Sequence, residues 1–283
     1  MAILIVGASS FIGNALKIYA SEMGLEVVSS RRCENSGAYC SHGDERFFCL
    51  SRDGKPFLHP NDKFEAIFLF STVYSRDPSN LKSIIECNID FLSNIIINLE
   101  MNTKKFIYSN SYMALPEVLN FQSSLYAHSK SLFSIFSKGY LQHSQFENIY
   151  LFDIYGPGDK RKKFVNLVLD AHKNRTQLIA SSGNQLLAPL SVNDAVKVLF
   201  DRIHIDERYK FTDFILRGST WNTLKELVKI TEEVSGFELP VLWGGVPDNS
   251  DSIYKPIDTY QNLSAEYEIM TTHEIIESIC SEQ

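Results

Sequence analysis

Tyr126 and Lys130, in the run Tyr126-Ala127-His128-Ser129-Lys130, are the side chains of this sequence best spaced for proton chemistry. Residues four apart share one face of a helix, so the ammonium can lie beside the phenol. A free phenol has a pKa of about 10. Nearby positive charge stabilises the phenolate and lowers that value, after which the phenol can exchange a proton with a hydroxyl or a ketone. A chain of this size and composition supplies roughly one such spacing by chance, so position carries the weight. This is the only match in the chain, and it opens the helix after the fifth predicted strand. The preceding strand ends Phe106-Ile107-Tyr108-Ser109-Asn110-Ser111. Ser111 is placed to hydrogen-bond the reacting oxygen and stabilise charge that develops there. Ser109 and Asn110 are weaker candidates, because loop serines are commonly just turn formers.

A second signal stands at the N-terminus. Ile3-Leu4-Ile5-Val6-Gly7-Ala8-Ser9-Ser10-Phe11-Ile12-Gly13 sets two glycines at the ends of a GxxGxxG spacing, between an apolar run and a helical one. A tight turn there delivers backbone N–H groups and the positive end of a helix to a pyrophosphate. The middle position is Ser10, whose Cβ crowds the phosphate but whose hydroxyl can donate to it. The next strand ends Ser30-Arg31-Arg32, with no acid to bind a ribose 2′-hydroxyl. Guanidinium forks match a 2′-phosphate, so these residues favour NADP(H), with Arg31 the preferred contact and Ser30 and Arg32 assisting.

Strand-like runs at 2–6, 26–30, 46–50, 65–70, 105–108 and 148–155 alternate with helical runs at 11–23, 78–100 and 126–143. Such alternation implies right-handed βαβ units and a parallel sheet covered on both faces. Further helices are expected at 164–172, 192–202 and 223–234. Phe68, Phe70, Phe133 and Phe136 are read as core, and the basic run 160–163 as a largely solvated loop. The fold class is therefore α/β: a Rossmann doubly wound parallel sheet with a smaller α/β lobe.

Composition narrows the function classes. A net charge of −7 argues against bulk nucleic-acid binding. The five cysteines form no CxxC pair, so no metal site is expected and reduced thiols in a cytoplasmic protein are. The start has no basic n-region, and the longest apolar runs are too short to span a bilayer, so no signal peptide and no membrane partner are expected.

The segments GASSFIG, FEAIFLFST, FIYSNS, YAHSK, IYGPGD and LSVNDA follow one another in an order that resembles the extended short-chain dehydrogenase/reductase family, over about residues 2 to 235. Within it, the short Ser111–Tyr126 interval and the stretch 154–174 look similar to the CDP-4-keto-3,6-dideoxyhexose reductases, the abequose synthase group. The resemblance implies an NADP-binding domain over 1–156 and a nucleotide-sugar lobe mainly over 157–283. It implies catalysis by Ser111, Tyr126 and Lys130. It implies dinucleotide contacts from Gly7, Ser9, Ser10, Phe11, Ile12, Ser30, Arg31, Arg32, Leu50, Ser71, Thr72, Tyr126 and Lys130, and substrate contacts from Val73, Ser111, Tyr112 and Lys162. The expected reaction is NADPH-dependent reduction of the C4 keto group of a nucleotide-linked deoxysugar for bacterial surface polysaccharide, by a homodimer. A 4-epimerase retaining NAD and a non-catalytic dinucleotide-binding protein are the alternatives. The sequence departs from the family at Ser10, at Cys49-Leu50 where an acid often stands, and at Asp153 where asparagine is common.

Overall fold

Ile3 to Val6 are all wholly buried, as a strand covered on both faces must be. They belong to β1 (Ala2–Val6), the middle of the main sheet in a computed structural model. That structure describes the backbone of residues 2–32, 40–42, 45–50 and 63–281, and the side chains of residues 2–30 and 63–281.

The first unit, residues 1–150 and 196–214, contains α1 (Phe11–Glu22), β2 (Glu26–Arg32), β3 (Cys40–His42), β4 (Glu45–Leu50), β5 (Phe64–Leu69), α2 (Leu81–Ile85), α3 (Phe91–Leu99), β6 (Thr103–Ser111), α4 (Leu125–Tyr140) and β7 (Gln145–Leu151, to residue 150). Strands run in the order β4-β2-β1-β5-β6-β7, with β3 at one edge and β12 (Phe211–Leu216) at the other. β1 pairs in parallel with both β2 and β5, placing Ile3 between Val27 and Ala66. β2–β4 and β5–β6 are also parallel, while β3 is antiparallel to β4. This is the doubly wound order, and its direction reverses between β1 and β5, where ligands of such sheets bind beyond the carboxyl ends of the strands.

Three elements differ from the sequence reading, one being the expected strand over 148–155, which is β7 to Leu151 and a separate two-residue strand at Ile154–Tyr155. The expected single helix over 78–100 is a 3₁₀ turn at Pro78–Asn80, then α2, a π-helical turn at Glu86–Asp90, α3, and a 3₁₀ turn at Glu100–Asn102. β6 runs through Ser111, so Ser109 and Asn110 are strand residues rather than loop residues. The core beneath joins Leu4, Val6, Ile67, Leu69, Ile95, Leu99, Phe106, Tyr108, Phe133 and Phe146. Phe68 and Phe70 are buried as expected, but Phe136 is 55% exposed and is not core. The buried residues of α4 are Ala127, Ser129, Lys130, Phe133, Ser134 and Ser137, so Phe133 is core as expected while Phe136 is turned outward.

Away from the strand ends, a buried ion network holds the first unit together. The Lys105 ammonium donates to Glu147 at 3.0 Å, to the Arg202 carbonyl at 2.9 Å and to the Ile205 carbonyl. Arg202 pairs with Glu147 at 2.8 Å and with Glu207. Every charge in it has an opposite partner, which offsets the cost of removing it from water.

The second unit comprises residues 151–195 and 215–283. It contains β8 (Ile154–Tyr155), α5 (Phe164–Asn174), β9 (Leu178–Ile179), β10 (Leu186–Leu187), β11 (Leu190–Ser191), β13 (Asn222–Thr223), α7 (Leu224–Ser235), β14 (Val241–Leu242) and α8 (Thr272–Ser281). Helix α6 (Val192–Asp201) and β12 each cross from one unit's residues into the other's. The core of the second unit joins Tyr155, Val165, Leu169, Leu224, Leu227, Ile275, Ile276 and Ile279. Among the described residues no helix is long and apolar enough to cross a membrane.

Candidate active site

The glycine turn is built by close approach. Gly7 adopts φ +92°, and a Cβ there would lie 2.6 Å from the Ser71 nitrogen, so only glycine fits beside the end of β5. Phe70 N–H donates to the Val6 carbonyl at 2.8 Å, closing the two strand ends together. A Cβ at Gly13 would sit 2.3 Å from the Gly7 carbonyl oxygen. Gly13 thus packs α1 onto the turn itself. Ser10 is the N-cap of α1, its Oγ accepting from Gly13 N–H at 3.1 Å. That bond fixes the hydroxyl's place and leaves its hydrogen to donate. Ser9 is exposed, and Phe11 and Ile12 occupy the first helical turn, where amides have no intrahelical acceptor. Gly7 N–H reaches Ser30 Oγ at 3.4 Å, tying the turn to β2. A dinucleotide pyrophosphate fits a turn of this kind. Arg31, Arg32 and Leu50 lie in β2 and β4, and their side chains fall outside the described residues.

Helix α4 starts at the N-cap Ser124, whose side chain accepts from Ala127 N–H. One turn in, Lys130 is 2% exposed and its ammonium donates to the Ser109 carbonyl at 2.7 Å. It lies over two rings, 4.7 Å from the centre of Tyr108 and 5.9 Å from that of Tyr126. Burial lowers its pKa to about 7. The carbonyl and the ring faces favour the charged form, with no carboxylate partner among the described residues. Tyr126 is half-buried and meets Tyr74 edge to face, with centroids 4.9 Å apart. Ser111 is buried, and its Oγ accepts from Met113 N–H at 3.3 Å, capping the 3₁₀ turn Tyr112–Ala114 that packs against α4. The Ser111 O–H remains a donor.

Asn88 was not anticipated. It is wholly buried in the π-helical turn, with its amide fully used. Its Oδ1 accepts from Val73 N–H at 2.7 Å and Thr72 Oγ1 at 3.2 Å, and its Nδ2 donates to the Val73 carbonyl and to Ser129 Oγ, both at 3.0 Å. Asn88 therefore fastens the segment after β5 to the residue beside Lys130. An asparagine inside an apolar helical stretch was the available signal, and π turns often mark functional places. A polar chain also supports Ser111. Its N–H is held by Asn110 Oδ1, Asn110 bonds Asn148, Asn148 bonds Asp213, and Asp213 pairs with Lys138 of α4.

The structure thus gathers Gly7, Ser71, Thr72, Val73, Ser109, Tyr126 and Lys130 around the ends of β1, β5 and β6. In the second unit the basic run is less solvated than expected. Arg161 is held by Asp159 and the Ile154 carbonyl, and half-buried Lys163 lies 3.8 Å from buried Asp153 and over the Tyr155 ring. Burial pushes the Asp153 carboxyl up and the Lys163 ammonium down. Lys160 and Lys162 are exposed.

Comparison with known proteins resolves the family. The sequence model of the NAD dependent epimerase/dehydratase family matches residues 3–203. The chain belongs to this family. It is 22% identical over 280 residues to the CDP-abequose synthase of Yersinia pseudotuberculosis, covering 93% of this chain and 94% of that protein. The Salmonella muenchen CDP-abequose synthase is also 22% identical, with 93% and 89% covered. Among solved structures, UDP-glucose 4-epimerase of Thermotoga maritima, determined with UDP-glucose, superposes with a TM-score of 0.77 at 15% identity, covering 99% of this chain and 98% of that one. That likeness establishes the Rossmann-type fold, and the family is one of nicotinamide-dinucleotide-dependent enzymes.

The buried Lys130 charge has a consequence for stability. Its folded pKa of about 7 lies below the ordinary 10.5. Between those values the unfolded chain binds more protons, so stability rises with pH across that window. The burial cost is fully present below pH 7 and relieved by about pH 10.5. Lys130→Met is expected to be more stable than the parent at neutral pH, on the order of 3 kcal/mol, with the gap closing in alkali. Urea midpoints at two pH values measure this, and an equal gap at both contradicts it.

Proposed function

We propose that the protein is an NADPH-dependent reductase of the C4 keto group of a nucleotide-linked 4-keto-6-deoxy or 3,6-dideoxy sugar, serving bacterial surface polysaccharide synthesis in the cytoplasm. The observation that carries this reading is Lys130 buried beneath the Tyr126 ring and fixed on the Ser109 carbonyl at 2.7 Å. Near full-length similarity to two CDP-abequose synthases supports the sugar class. The end of β2, with Arg31 and Arg32 and no acid, supports NADPH over NADH.

The dinucleotide would be held by Gly7, Ser9, Ser10, Phe11, Ile12 and Ser30, by Arg31, Arg32 and Leu50, and by Ser71, Thr72, Tyr126 and Lys130. When bound in its reduced form it supplies hydride. Tyr126 gives its phenolic proton to the C4 oxygen of the sugar as the new C–H bond forms. Lys130 stabilises the phenolate left behind. Ser111 donates to the same oxygen and stabilises its developing charge. Val73 and Tyr112 are the residues proposed to meet the sugar, and Lys162 is the one proposed to attract a diphosphate. In this reading the first domain, about 1–156, binds NADP(H), and 157–283 mainly binds the nucleotide sugar.

A panel of 4-keto nucleotide sugars with NADPH and NADH tests the reading. NADPH loss at 340 nm is expected only with a 4-keto sugar present, and Tyr126→Phe is expected to lose roughly 10²-fold or more of kcat with NADPH affinity nearly unchanged. Retained NAD with no net consumption would instead indicate an epimerase, failure to bind either dinucleotide a non-catalytic protein, and undiminished turnover in Tyr126→Phe would remove that residue from its role.

We also infer a homodimer. The outer face of α4 carries Leu132 at 42%, Ile135 at 59%, Phe136 at 55% and Tyr140 at 44% exposure, and Leu81, Ile85 and Ile97 are exposed on α2 and α3, which both pack against α4. A second copy laying the same helices on this stripe buries both sets in a four-helix contact. Phe136→Glu is expected to shift the sedimenting species from dimer to monomer. A monomeric parent protein contradicts the inference.

A further inference from the structure

We propose that Tyr74 is a second phenol of this site, one that binds the sugar ring and seats it against Tyr126. The inference rests on the ketoreductase reading and adds a binding residue that the family resemblance did not supply.

Tyr74 is a large aromatic left 55% exposed on the segment that follows β5. Both of its chain neighbours are held before any ligand arrives. Val73, just before it, has both N–H and carbonyl held by Asn88. Ser75, just after it, accepts at Oγ from Asp77 N–H at 3.1 Å and from Asn80 Nδ2 at 3.0 Å. Asp77 in turn caps the following turn by accepting from Ser79 N–H at 2.9 Å. A residue so exposed is rarely so firmly presented, and preorganisation of this kind lowers the entropic cost of holding a ligand.

The Tyr74 ring meets the Tyr126 ring at an interplanar angle of 71°. It therefore borders the phenol that must give up its proton, while an exposed part of it faces outward. An aromatic surface suits the C–H-rich side of a deoxygenated sugar, which offers few hydroxyls. The phenolic oxygen accepts from Arg76 Nε at 2.8 Å. That bond uses an acceptor site and leaves the O–H hydrogen, which the guanidinium polarises into a better donor. One side chain thus supplies an apolar wall and a single directed donor next to Tyr126. This combination orients a ring with one oxygen to be recognised and apolar carbons around it.

The test uses the full-length protein with NADPH and the CDP-linked 4-keto-3,6-dideoxyhexose. Tyr74→Phe keeps the wall and removes the donor. It is expected to raise KM roughly tenfold with kcat changed by less than about threefold. Tyr74→Ala is expected to raise KM further and to lower kcat as well, because Tyr126 loses the ring that borders it. NADPH affinity and melting temperature stay at parental values in both. Unchanged KM in both variants overturns the proposal. So does a KM rise matched by equal loss of NADPH affinity or by a fall in melting temperature, since either means the segment has merely collapsed. Calorimetric binding of the reduced CDP-dideoxyhexose separates this inference from the one beneath it. A parent protein that binds this sugar but reduces no 4-keto form, with affinity weakened in Tyr74→Phe, sinks the ketoreductase reading and supports the Tyr74 site. A parent that binds and reduces, with both variants unaffected, sinks the Tyr74 site alone. A parent that neither binds nor reduces it overturns both.

Discussion

A lysine ammonium enclosed by protein, bonded to one main-chain carbonyl and covered by two aromatic rings, is the constraint around which the first unit is arranged. Lys130 has no carboxylate to neutralise it among the described residues, so its charge is costly and its position matters. A surface lysine would remain solvated and would exert little pull on a neighbouring phenol. Enclosure makes the same charge effective at short range, since the low local dielectric strengthens its field at Tyr126. The instability created at Lys130 is thus tied to the chemistry proposed for Tyr126, as is common where a side chain is placed for reactivity.

The surrounding structure serves to hold that lysine still. Asn88 spans from the segment after β5 to Ser129, tying that segment to helix α4. The polar chain from Ser111 through Asn110, Asn148 and Asp213 ends on Lys138, one face further along the same helix. Ser111 is therefore linked to α4 by this chain, and Lys130 is linked to the same strand by its bond to the Ser109 carbonyl. The glycine turn is set by a different force, steric exclusion: neither Gly7 nor Gly13 has room for a Cβ against the neighbouring backbone. These constraints are all local to the first unit and together define one edge of its sheet.

Much of this was legible in the residues. The continuous apolar runs became the central strands because a strand buried on both faces has no polar side to show. The i, i+4 tyrosine and lysine lay on one helix because helix periodicity leaves little alternative. Three features resisted reading. Asn88 drew no reading at all, since its three partner residues, Thr72, Val73 and Ser129, are distant in sequence. Phe136 read as core because hydrophobicity alone does not say which face of α4 is inward. The inward face holds Phe133 together with Lys130 and the small residues Ala127, Ser129, Ser134 and Ser137, while Leu132, Ile135, Phe136 and Tyr140 are turned outward. Asp153 read as a departure from the family and Lys163 as part of a solvated basic run, whereas they are neighbours that temper one another's charge inside the second unit. In each case the deciding partner came from another element, beyond the reach of local pattern.

The enclosed ammonium can be observed directly. In protein labelled at the lysine ε-carbons and free of dinucleotide, one NMR resonance should titrate with a midpoint near 7, apart from the other lysines, and should vanish in Lys130→Arg. If every lysine instead titrates near the ordinary value of 10.5, Lys130 is not enclosed as described and the central claim fails.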